Sequence, residues 1–171
     1  MPVKGLTETS SIITIGFDVS ETAANTFTQE RIDLQLNPLD NEVFVVYAVD
    51  LDVGAPDAIA GVSTNVIGAL TTTSQTTMPT LGSSSCIARK ALQIRAGGFV
   101  DGGVGFETGS VESPPSLLPY IAIIATNDFF VQVEGANNGV LHSMQGKMYG
   151  VRARASAAQY AALVQSEVLT N

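Results

Sequence analysis

The chain contains no tryptophan, one cysteine and one histidine among its 171 residues. A structural zinc site wants four Cys or His ligands, so two such residues exclude one. A lone cysteine, Cys86, excludes an intrachain disulfide and says nothing about redox compartment. With aromatics at 6%, a sugar-binding cleft lined by several rings is hard to build. Charge is scarce as well: 14% of residues carry one, against roughly 25% in ordinary soluble domains. Eight basic residues face sixteen acidic ones, for a net charge of -8. Direct grip on a phosphate backbone needs a basic run. The nearest thing is Arg152 and Arg154 with Lys147, and the opening MPVKGLTETSS has one lysine. No basic genome-binding arm, and no direct sequence-specific nucleic-acid binding, is expected. The longest apolar run, LLPYIAIIA at residues 117–125, is far short of the roughly 20 residues that span a bilayer. No basic region precedes an apolar stretch, so neither a signal peptide nor membrane insertion is expected.

What is present reads as β structure. The length suits one domain over residues 1–171, able to bury roughly 70% of its unfolded surface. Ile13, Ile15 and Phe17 alternate with polar or small residues, and so do Ile32, Leu34 and Leu36, which is strand periodicity. EVFVVYAVDLD at residues 42–52 is the strongest strand, apolar on both faces at its centre. The Thr-rich residues 60–77 read as one or two further strands, followed by a loop through Pro79 and Gly82. Residues 86–95 lean to strand. GGFVDGGVGFETG, residues 97–109, reads as turns and bulges; it lacks the Lys-Ser/Thr of a phosphate loop. Residues 119–125 and 129–134 are strands, and GANNG at 135–139 reads as a hairpin-type turn. The last strand, residues 141–154, has a bulge expected near Gly146. Residues 155–168 have helical spacing, with Ser156 as N-cap. The fold class expected is all-β: a two-sheet antiparallel sandwich, a single jelly roll of about eight strands, with a short C-terminal helix. Immunoglobulin-like and barrel topologies stay open, because periodicity does not fix strand order. The expected core sets Val43, Val45, Tyr47 and Val49, or their neighbours on the other face, against Ile121, Ile123, Phe130 and Val133.

Candidate sites are few, and each has a simpler account. His142 would need a nucleophile and an orienting acid to serve as a base, and nothing selects one. A surface histidine on the last strand is the simpler reading, ahead of a pH-sensitive contact between copies. Asp50, Asp52 and Asp57, with Asp40 or Glu42, could offer oxygens to calcium, yet they lack EF-hand spacing and solvated carboxylates closing a strand are the simpler account, so no metal is expected. Glu107, Glu112, Asp128 and Glu134 show no spacing that picks an acid–base pair. No enzyme and no cofactor are expected.

Three stretches carry a family resemblance: NPLDNEVFVVYAVDLD, YIAIIATNDFFVQVEGANN and GKMYGVRARASAAQYAALVQSE. Together they resemble small proteins found in environmental viral sequences, themselves similar to coat proteins of tailless icosahedral viruses. The resemblance implies a single jelly-roll subunit of a virion shell, whose partners are copies of itself, with a second coat protein left open. It brings no catalytic residues. Tyr160, Leu163 and Val164 in the tail, and Thr76, Met78 and Leu81 in the loop at residues 76–85, are the expected subunit contacts. The alternative is a secreted β-sandwich that binds carbohydrate or surfaces, with a trimer as one form it could take.

Overall fold

The computed structural model describes residues 4–98, 100 and 118–169 in full, and residues 104–109 as backbone. It is a two-sheet antiparallel sandwich with a short C-terminal helix. The strands are β1 (Leu6–Glu8), β2 (Ile13–Ser20), β3 (Thr28–Asp33), β4 (Glu42–Val53), β5 (Thr64–Thr71), β6 (Cys86–Arg95), β7 (Val104–Gly109), β8 (Ala122–Ile124), β9 (Asp128–Ala136) and β10 (Ser143–Ala155). Helix α1 spans Ala157–Leu169, with Ser156 Oγ accepting the Gln159 N–H at 3.3 Å as its N-cap.

One sheet has the order β1-β10-β4-β8, with β2 also on β10, and the other the order β3-β9-β5-β6-β7. The pairings fix the topology. β2 pairs β10, β3 pairs β9, β4 pairs β8 and β5 pairs β6, all antiparallel. The chain therefore acts as one long hairpin, first strand on last, rolled until its two halves face each other. That is jelly-roll connectivity. Eight strands make the roll; β1 extends the β10 edge and β7 extends the β6 edge. Val104–Gly109 thus corrects the turn reading of the glycine-rich segment. Glycine weakens a strand interior without forbidding a ladder.

Two apolar layers result. Between the sheets lie Phe17, Val19, Phe44, Val46, Val49, Leu51, Val53, Phe129, Val131, Val133, Met144 and Met148. Phe17 and Phe129 meet edge-to-face, their ring centroids 5.9 Å apart. A second cluster, Val43, Val45, Val151, Ala153 and Ala155, sits on the outer face of the first sheet, with Tyr160, Leu163 and Val164 packed on it. This explains why the middle of β4 is apolar on both faces: one face meets the opposite sheet and the other meets a helix.

The register of β4 on β10 shifts between Tyr149 and Gly150, where Ala48 is followed by Val46 across the ladder. Tyr47 is the extra residue, so the bulge is on β4, not near Gly146. One added residue switches the strand's parity. Phe44 and Val46 point into the core before it, and Val49, Leu51 and Val53 after it. The expected pairing of Val43, Val45 and Tyr47 with Val49 on one face is corrected for this reason, and Phe130 is replaced between the sheets by its neighbours Phe129 and Val131. Met144 and Met148 hold one phase on β10. A Cβ at Gly146 would lie 2.7 Å from the Phe17 ring, and one at Gly150 would lie 2.5 Å from the Phe44 ring. Both glycines are seats for aromatic rings.

Two further expectations change. Residues 72–77 leave the ladder after Thr71 and join the loop to Ser85, where Thr72 N–H bonds the Ser85 carbonyl at 2.9 Å. GANNG is not a hairpin: β9 and β10 lie in different sheets, so residues 137–142 cross between layers. The left-handed Asn137, at φ 59°, makes that crossing tight.

Candidate functional site

Rolling the hairpin gathers three connections at one end: β2–β3, β4–β5 and β9–β10. Polar side chains bind them together. Glu21, 3% exposed, follows β2. Its Oε1 accepts the N–H of Gly135 at 2.7 Å and of Thr26 at 3.1 Å, and its Oε2 accepts that of His142 at 2.8 Å. Asn25 and Asn138 exchange two bonds: Asn138 N–H donates to Asn25 Oδ1, and Asn25 Nδ2 donates to the Asn138 carbonyl. Asn138 also takes the Asp57 N–H at 3.0 Å and donates to the Asn65 carbonyl at 2.8 Å. Asp57 Oδ2 accepts from Gly139 N–H at 2.7 Å and Val140 N–H at 3.2 Å. Its Oδ1 lies 3.4 Å from His142 Nε2, a buried nitrogen with no well-aligned hydrogen bond. Buried backbone donators without water need such acceptors. Sequence reading missed Glu21, Asn25 and Asn138; the only hint was polar residues crowded around turns.

Asp50, Asp52 and Asp57 do not come together. Asp50 and Asp52 are exposed on the outer face of the first sheet, beside Asp18 and Lys147 in a shallow groove of about 550 Å³. Asp57 belongs to the loop network. Among the described residues no group of three or more His, Cys, Asp or Glu side chains could hold a metal ion.

The helix binds to its own sheet. Tyr160, Leu163 and Val164 are half-buried on the Val43–Val45 face. Glu167 accepts the N–H groups of Ala125 at 2.8 Å and Thr126 at 3.0 Å, anchoring the helix beyond the end of β8. Burial pushes its carboxyl above the ordinary glutamate value, against the lowering effect of those two hydrogen bonds. Val168 and Leu169 stay 61% and 73% exposed. On the other sheet the β5–β6 loop is tied down. Gln29 donates to Ser74 Oγ and accepts the Gln75 N–H, and Arg89 donates to the Pro79 carbonyl. This leaves Thr76 and Leu81 exposed and Met78 half-buried. Cys86 lines a slot between this loop and α1, and burial raises its thiol pKa.

No protein-family model matches the chain, and no curated protein matches it. Among solved structures it is similar to one titled Desmodium yellow mottle tymovirus. The identity is 11%, with 86% of this chain and 90% of that chain covered, at a TM-score of 0.32. A superposition this loose adds nothing to what the strand order establishes.

The arrangement is built to hold shape. Arg31 pairs Asp33 and Asp128, Arg152 pairs Glu42, and Arg154 pairs Asp40. Arg152 also donates to the carbonyls of Leu34 and Gln35, fixing the β3–β4 connection. His142 and Cys86 belong to different clusters: the imidazole faces Asp57 and the thiol sulfur contacts the Ala88 carbonyl. Among the described residues, no helix is long and apolar enough to cross a membrane.

Proposed function

We propose that this chain is a non-enzymatic shell subunit, copied many times in a virion, with residues 1–171 acting as one unit. The observation that carries the reading is the rolled pairing of first strand on last. It yields a stiff slab whose loops are pinned by side chains and in which Arg31, Arg152 and Arg154 serve ion pairs within the subunit. The resemblance of residues 37–52, 120–138 and 146–167 to coat proteins points the same way. A skin poor in charge costs little to desolvate against neighbours, and repeated modest interfaces suit closed assembly.

Copies meet through the outer side of α1 and the tip of the β5–β6 loop. Tyr160, Leu163 and Val164 set the helix on its own sheet and offer their remaining surface alongside Val168 and Leu169. Thr76, Met78 and Leu81 form the second contact. Genome attachment falls to another component, since residues 1–171 set eight basic residues against sixteen acidic ones and show no basic run.

Negative-stain imaging with light scattering tests this on the purified protein. Closed shells or capsomers are expected. Leu81→Asp and Leu169→Asp are expected to stop particle formation while leaving β-type circular dichroism intact. A discrete small oligomer that binds glycans would instead favour the carbohydrate-binding sandwich and overturn the shell reading.

A further inference from the structure

We propose that His142 and Asp57 form a protonation-dependent latch that holds the β9–β10 loop in acid and loosens it when the imidazole loses its proton. The geometry is specific. Nε2 is buried, has no well-aligned hydrogen bond, and faces Asp57 Oδ1 at 3.4 Å. The imidazole side chain is 11% exposed, so little water reaches it. Its Nδ1 edge lies against Gly54, where an added Cβ would sit 3.5 Å from Nδ1. Asp57, from the β4–β5 loop, faces the imidazole, and Glu21, from the β2–β3 connection, holds the backbone N–H of the same residue. Both are acidic, and Glu21 already accepts three N–H groups, one of them from His142 itself.

A neutral imidazole has one N–H; a protonated one has two and a positive charge. Proton uptake therefore places a charged donor opposite a carboxylate. Charged pairs of this kind close to about 2.7–2.9 Å, a movement of about half an ångström. The other oxygen of Asp57 holds the N–H groups of Gly139 and Val140. Tightening His142 onto Asp57 thus fixes the loop whose next residues, Val140 and Leu141, are 59% and 50% exposed. The latch operates within a single copy, so its failure leaves the shell reading untouched.

The chain has one histidine, so one imidazole signal in a proton NMR titration belongs to it. The test follows that signal together with the amides of Gly139 and Val140 in wild type, His142→Gln and Asp57→Asn. In wild type the two amides are expected to titrate with the imidazole midpoint. Their exchange protection, corrected for the intrinsic pH dependence of exchange, should be about tenfold higher in the acid state, as for an added charge-assisted hydrogen bond. In His142→Gln the amides should show no pH response in that range. In Asp57→Asn the imidazole should titrate without the amides following. Wild-type amides that stay flat through the imidazole titration, or that respond equally in His142→Gln, would overturn the latch. The wild-type titration alone decides the matter if either variant fails to fold.

Discussion

Removing the Glu21 carboxylate should be among the most damaging single changes outside the apolar core. Its two oxygens accept three backbone N–H groups from three segments. The donors differ in exposure. Gly135 is buried and His142 half-buried, whereas Thr26 is exposed and can turn to water. A buried donor left without an acceptor costs about 1–3 kcal/mol, more when the lost partner was charged. In Glu21→Ala two donors are stranded, and the gap left by the side chain adds to this, giving about 4 kcal/mol. The alanine variant no longer desolvates a carboxylate, which offsets part of that cost, but breaking one side of a buried polar set is destabilising in general. Glu21→Gln is the control. Its single oxygen can keep Gly135 and Thr26, while its amide sets a donor against the His142 N–H, for about 1–2 kcal/mol. With a urea slope of about 2 kcal/mol/M for a domain of this size, the midpoint should fall by about 2 M in the alanine variant and under about 1 M in the glutamine variant. Two superimposable unfolding curves for wild type and Glu21→Ala would refute the idea that this carboxylate binds the loop end together.

Other expectations concern close approaches and titration. Gly150→Ala should destabilise by several kcal/mol, or fail to fold, because its Cβ would strike the Val45 carbonyl and the Phe44 ring; Gly16→Ala, where a Cβ meets nothing within 4 Å, should change the melting temperature little. Phe129→Ala removes a ring that is 0% exposed and should cost about 3–5 kcal/mol by chemical denaturation. Glu167 binds its proton more tightly folded than unfolded, so its protonation favours the fold below the ordinary value of 4.5, and that contribution is lost as pH rises through its raised folded value. Melting curves of wild type and Glu167→Gln should therefore diverge across that window, with wild type losing ground relative to the variant as pH increases; a constant difference would refute the assignment.

Sequence periodicity identified β2, β4 and β9, because each buries alternate residues or is covered on both faces; β6, whose buried Ala88 and Ala91 lie three apart, is ambiguous between helix and strand by sequence and takes its strand assignment from the flanking glycines. Periodicity placed the helix too, since Ser156 and the spacing of Tyr160, Leu163 and Val164 are local signals. It could not place the bulge. Tyr47 alters the parity of β4 without altering its composition, and only the ladder to β10 reveals which residue is extra. Residues 72–77 are threonine-rich and fit a strand by propensity, yet side-chain and backbone bonds to Ser85 and Gln29 outweigh that preference. GANNG has the residues of a hairpin turn, but a turn specifies a reversal, not which sheet receives the next strand. The loop network was the least legible part. Glu21 and Asp57 are 36 positions apart and Asn25 and Asn138 are 113 apart, so nothing local joins them. Of the three aspartates weighed as a cation site, Asp50 and Asp52 share one groove, whereas Asp57 serves the loop network.

The net charge of -8 supplies a last test, separating two ways of building a shell. If copies assemble through uncharged contacts such as Leu81, Val168 and Leu169, their mutual repulsion opposes assembly. Salt screens that repulsion, with a Debye length of roughly 30 Å at 0.01 M and about 3 Å at 1 M. Apolar contacts are not weakened by this screening, so particles should form more readily as sodium chloride rises. If a polyanionic genome drove assembly by contact with this chain, the opposite would hold, because each phosphate contact is lost to counterions as salt increases. Light scattering of the nucleic-acid-free protein between about 0.05 and 1 M salt distinguishes the two. Scattering that rises with salt agrees with contact-driven assembly. Assembly that appears only at low salt, and only with added nucleic acid, would mean that the few arginines reach outward after all, and that their pairing with Asp33, Glu42 and Asp40 within the subunit is not where their charge acts.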